Sequence, residues 1–229
     1  MSGPGDRTAP EPVGGERPPG PMPVIDEAGR QLRAPWAASI AGLLFSVLFT
    51  AALVLVRSQM DQTGPSAAMV IGGLYLAPFA GIMFLWFVAV IRDQIGERED
   101  RFFATVFFGS GLLFVALLFT TAAVVSTPTT LVEFMGGAQP SVEGMALLRA
   151  LGYTLLFALA TRAAAVFMVA TATIGIRSGV FPRWFALVGY LLGLILLVAV
   201  SFADWFILVL PAWVAVVSLF ILRRERARR

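Results

Sequence analysis

Long apolar runs separated by short charged stretches dominate the chain, and the lengths of those runs set the expected architecture. A bilayer hydrocarbon core about 30 Å thick is crossed by roughly 20 apolar residues in a helix. Trp36–Val56 meets that length and stops at Arg57, and Ser66–Ile91 stops at Arg92. Phe102–Ser126 is closed by Thr127 and Pro128, and a fourth run from Met145 to Ile176 ends at Arg177. Trp184–Ser201 and Trp205–Leu222 follow, joined by a short turn around Ala203 and Asp204. These two are near the lower length limit but separate, because one helix over both would be about twice as long as a bilayer is thick. The pattern predicts an all-α membrane protein: a bundle of six transmembrane helices over 35–222.

Residues 1–34 have a different composition. They hold seven prolines and six glycines with almost no large apolar side chain. Such a stretch buries too little surface to offset the entropy of ordering it, so a disordered tail with local polyproline-II character is expected. It lacks the apolar centre of a signal peptide. A proline-rich ligand for a partner is the alternative to a plain solvated tail. Residues 223–229 form a short basic tail at the other end.

Arginine placement sets the expected orientation. With six spans, Arg7, Arg17, Arg30 and Arg33 lie on one side, together with Arg92, Arg98, Arg101, Arg177, Arg183 and the five arginines after Leu222. The opposite loops, 57–65, 127–144 and 202–204, hold only Arg57. Positive charge stays on the cytoplasmic side, so both termini are expected there, in a bacterial plasma membrane. Trp36, Trp184 and Trp205 stand at expected span ends, where aromatic belts form.

Composition then narrows the chemistry. The 229 residues are 58% hydrophobic and 14% charged, with a mean hydropathy of +0.84. Cysteine, histidine and lysine are all absent. That excludes disulfides and thiolate nucleophiles, histidine-ligated haem or zinc, a Ser–His protease and Schiff-base chemistry. No cofactor or metal is expected, and an enzyme is not. The net charge of +3 comes from arginines flanking apolar runs rather than from a basic stripe with aromatics, so nucleic acid is not an expected partner.

Few motifs remain. Gly189-x-x-x-Gly193 is a small-xxx-small pattern that lets helices approach closely, either within the bundle or in a homodimer. Ser39, Ser46, Thr50 and Arg57 share one face of the first span, as a polar path or as hydroxyls bonded to backbone. Pro78 and Pro211 should kink their helices. Gly109-Ser110-Gly111 lacks a base and is not read as a nucleophile turn. The 92–101 loop is a solvated charge run whose Glu97, Glu99 and Asp100 suit the N-terminus of the third span.

Arg162 stands apart. It lies 15 residues, about 22 Å of helix, from Arg177, which places it inside the hydrocarbon toward the outer half. A guanidinium at that depth needs water, lipid phosphate or an acid. Asp204, in the shortest outer turn, is the preferred acidic partner over Glu133 and Glu143.

Ala80–Glu97, Glu99–Phe114 and Arg177–Gly193 resemble a family of actinobacterial multi-span membrane proteins of unknown function. The resemblance covers about a fifth to a quarter of the chain, centres on the Ser-Gly-x-x-Pro-Arg-Trp turn, and implies a six-span architecture without an activity. The expected role is a non-enzymatic accessory or envelope component in the lipid bilayer, acting through a membrane-protein partner or a homodimer. The rival is a small permease with a bundle cavity near Arg162. A proton- or ion-coupled carrier would want an intramembrane carboxylate, and no expected span contains one.

Overall fold

A computed structural model describes residues 27–58, 67–95, 101–179, 181–198 and 204–226, and among them every regular element is helical. The helices are α1 (Glu27–Ser58), α2 (Ala67–Ile95), α3 (Arg101–Thr129), α4 (Val142–Tyr153), α5 (Thr161–Arg177), α6 (Arg183–Val198) and α7 (Val209–Arg226). A π turn, Thr130–Phe134, extends α3, and a second, Thr154–Ala160, joins α4 to α5. A 3₁₀ turn, Asp204–Leu208, leads into α7. Five stretches are long and apolar enough to cross a membrane: Trp36–Leu55, Tyr75–Arg92, Phe102–Phe134, Val142–Arg177 and Phe206–Arg223. Arg183–Val198, at 16 residues, is apolar but shorter.

Three boundaries depart from the sequence expectation. α1 opens at Glu27, inside the stretch read as a tail; 1–26 lie outside the described residues. The segment after Pro23 is free of proline up to Pro35 and contains Glu27, Ala28, Gln31, Leu32 and Arg33, all good helix formers. Pro128 does not close α3, because it sits in the last α turn and the chain continues as π helix to Phe134. Pro211 falls in the first turn of α7, where a missing N–H breaks no intrahelical bond, with the 3₁₀ turn just before it.

Packing follows side-chain size. α5 buries a broad face that includes Ala163, Ala164, Ala165, Ala170 and Ala172, so neighbouring backbones approach it closely. α1 lies between α2 and α7, α2 packs on α3, and α5 packs on α3 and α6. Four helices each send a phenyl ring to the middle: Phe45, Phe84, Phe114 and Phe167, all buried. Phe84 lies 4.7 Å from Phe45, 5.2 Å from Phe114 and 4.9 Å from Phe167, ring centre to ring centre. Lipid is as apolar as this core, so the gain comes from dispersion and from ring pairing, about 0.5–1.5 kcal/mol per pair.

The turn from α5 to α6 shows why the Ser-Gly-x-x-Pro-Arg-Trp sequence suits a tight reversal. Gly179 takes a left-handed backbone, with φ of +65°, a conformation that side chains disfavour. The Phe181 N–H then donates to the Gly175 carbonyl at 2.8 Å, and the buried Phe181 ring stacks edge-on to Phe185 at 4.9 Å.

α3 with its π turn and the Val142–Arg177 stretch form an unusually tall hairpin. They run 33 and 36 residues, about 50 Å, or some 20 Å more than a hydrocarbon core. α4 packs chiefly on α3, so the surplus stands clear of the bundle at the 126–153 end. That tip exposes Phe134, Met135, Val142, Leu147 and Leu151.

Candidate functional site

One boundary of the apolar layer is marked by arginines on aromatic faces. The Arg92 guanidinium lies 4.7 Å from the Phe108 ring centre, and Arg177 lies 4.3 Å from that of Phe103. Exposed Trp36 opens the apolar stretch of α1, and exposed Trp184 stands in the first turn of α6. Measured along α5 from Arg177, Arg162 is about 22 Å into the layer.

Side chains on a helix lean toward its N-terminus, and the N-terminus of α5 points away from Arg177. Arg162 follows that direction. Its Nη1 donates to the Ala158 carbonyl, one turn further toward the far surface. This carries the guanidinium to roughly the far edge of the hydrocarbon. Leu159 and Val166, three residues before and four after, are exposed on the same side of α5, and Arg162 between them is half-buried. The arginine therefore lies at the edge of the exposed side of its helix; further along the same stripe Val169 and Thr173 meet α6 at Gly193 and Tyr190, and the buried face carries Ala163, Ala164 and Phe167.

A π turn precedes Arg162. Across Thr154–Ala160 the ladder shifts to bonds five residues apart, with the Thr161 N–H donating to the Leu156 carbonyl. Such a shift loosens the ladder where it returns to α geometry. The Thr161 hydroxyl donates to the Phe157 carbonyl and Arg162 to the Ala158 carbonyl, giving these two oxygens side-chain partners. Sequence reasoning singled out Arg162 but missed the π turn, for which no residue in 154–160 is a signal.

Asp204 lies toward the same surface as Arg162. A Cβ on Gly189 would touch both the outer end of the Trp213 indole and the Ala172 methyl, which sets α5 and α7 in approximate register. Ten α residues separate Ala172 from Arg162, about 15 Å. Four α steps and the 3₁₀ turn separate Trp213 from Asp204, about 16 Å. The Asp204 side chain lies outside the described residues. Glu133 and Glu143 are exposed on the hairpin tip and make no ion pair with Arg162.

The other singled-out residues have packing contacts. A Cβ on Gly193 would lie 2.8 Å from the Val169 methyl and 3.1 Å from the Ala165 carbonyl oxygen, so α6 meets α5 backbone to backbone there. Of the polar stripe on α1, Ser39 and Ser46 are buried. Ser46 shares its proton between the Gly42 carbonyl and the Pro211 carbonyl, each at 2.8 Å, and so ties α1 to α7. The Arg57 side chain lies outside the described residues. Ser110 donates to carbonyls of its own helix at 2.7 and 3.1 Å, and Gly109 is open on one side. Among the described residues no group of His, Cys, Asp or Glu could hold a metal ion. No protein-family model matches the chain, and no curated protein or solved structure does.

Proposed function

We propose that the chain is a six-span protein of a bacterial plasma membrane, with both termini in the cytoplasm. We read it as a non-enzymatic accessory or envelope component that acts through partners. The span count rests on the arginines. Without a crossing at Arg183–Val198, Arg177 and Arg183 would lie across the membrane from the arginine run that begins at Arg223. That helix rises about 24 Å, near the lower limit for a span.

The observation that carries the partner reading is the hairpin tip. Large apolar side chains that stand about 10–20 Å beyond the hydrocarbon have neither lipid tails nor bundle to cover them, and such patches mark interaction surfaces. A bundle centre filled by Phe45, Phe84, Phe114 and Phe167 favours a scaffold over a conduit. Co-purification after gentle detergent extraction tests the reading. A stoichiometric partner should accompany the native protein and be lost from Leu147→Ser/Leu151→Ser, with the melting temperature unchanged. A chain that purifies alone and moves a solute across proteoliposomes would support the permease reading instead.

A further inference from the structure

We propose that Arg162 is the anchoring cation of a phospholipid site on the membrane-facing wall of α5, where its guanidinium binds the phosphodiester of a headgroup. The inference rests on the membrane reading of the apolar helices and not on orientation or partners. A half-buried guanidinium in an apolar layer takes a counter-charge with it. Of its five N–H donors the Ala158 carbonyl takes one, and that bond aligns the head along the helix rather than into the bundle. The neighbours on its stripe, Leu159 and Val166, are open to lipid tails. Thr161, turned back onto the Phe157 carbonyl, leaves the guanidinium uncontested.

The height selects the ligand. The guanidinium ends near the edge of the hydrocarbon, about one residue length below where headgroup phosphates begin, and arginine binds phosphate through paired N–H groups. The Ala158 carbonyl, in the π turn just before α5, holds the arginine upright. The rival for the same cation is Asp204, at the start of the 3₁₀ turn that leads into α7.

The experiment uses the full chain in mild non-ionic detergent, with bound lipid counted by native mass spectrometry. Phosphatidylglycerol, diacylglycerol without a phosphate, and inorganic phosphate are offered separately. The native protein should retain about one phosphatidylglycerol. Arg162→Gln should retain about tenfold less, as expected for losing one charge-assisted contact. Arg162→Lys should keep part of the retention and the fold. Arg149→Gln, an exposed arginine on the hairpin, should behave as the native protein does. Equal retention by Arg162→Gln, or diacylglycerol held as well as phosphatidylglycerol, overturns the proposal. So does retention of inorganic phosphate by the native protein and not by Arg162→Gln, with no phosphatidylglycerol held, which would assign the cation to a soluble anion. A native protein that holds no phosphatidylglycerol while the Asp204→Asn variant does also overturns it, since the guanidinium would then be paired within the chain.

Discussion

Replacing Gly189 by alanine adds one methyl group to the face of α6 that meets α5 and α7, and the expected outcome can be worked from distances. The new carbon would lie 2.6 and 2.7 Å from two carbons of the Trp213 indole and 3.1 Å from the Ala172 methyl. Carbon atoms are comfortable at about 3.5–4.0 Å, so the indole must retreat by roughly 1 Å. It has little room, because Phe185 stacks on it at 4.7 Å and Phe220 stacks on Phe185 at 5.5 Å. Overpacking of this kind costs about 1–3 kcal/mol, against a helix-propensity gain of at most about 1 kcal/mol for alanine over glycine. The net loss should be about 1–2 kcal/mol, read as a drop of several degrees in the unfolding temperature of the detergent-solubilised protein. Trp213→Phe removes the two carbons that clash, so the double variant should show coupling of at least about 0.5 kcal/mol. If Gly189→Ala is as stable as the native chain, or the two changes simply add, the packing argument fails. A change in particle mass without a change in unfolding temperature would refute it differently, by placing Gly189 and Gly193 between two copies.

Further expectations concern topology, helix contacts and the tail. Because the chain lacks cysteine, Met60→Cys and Gln139→Cys should react with an impermeant thiol reagent from outside intact cells, whereas Gly96→Cys and Ser178→Cys should not; labelling at both 60 and 96 breaks the six-span reading. Ser46→Ala should cost about 0.5–1.5 kcal/mol by removing the α1–α7 bond. Ser218→Ala should be neutral or stabilising in the same unfolding assay, since the Ser218 hydroxyl is buried without a partner. Deleting residues 2–26 should leave insertion and unfolding temperature unchanged, because that stretch has no apolar face to dock; a large drop would mean that it packs on the bundle.

What the sequence determines by itself is the class of environment. Runs such as Trp36–Val56 and Phe102–Ser126 are apolar for long enough that only an all-helical chain in lipid satisfies their backbone, and this follows from composition and length without knowledge of neighbours. The absence of histidine, cysteine and lysine likewise excludes whole chemistries at a glance. Arg162 was conspicuous for the same reason, as a charge in an apolar run. Its direction was not legible, because the side on which a helix meets lipid depends on where α3, α6 and α7 pack. Only the tertiary structure places Leu159, Arg162 and Val166 on the open side of α5 and Ala163, Ala164 and Phe167 on the closed one. The same holds for the polar residues of α1: the step from Ser39 to Ser46 indicated a shared face, but the carbonyl that Ser46 reaches belongs to Pro211, 165 residues away. The extent of the helices was also decided late. Pro128 reads as a stop signal, yet α3 continues past it because a proline in a last turn removes only one bond, and pairing with α4 holds the extension. The π turn before Arg162 has no local signature at all. It lies where the stretch passes from α4, packed chiefly on α3, to α5, packed on both α3 and α6.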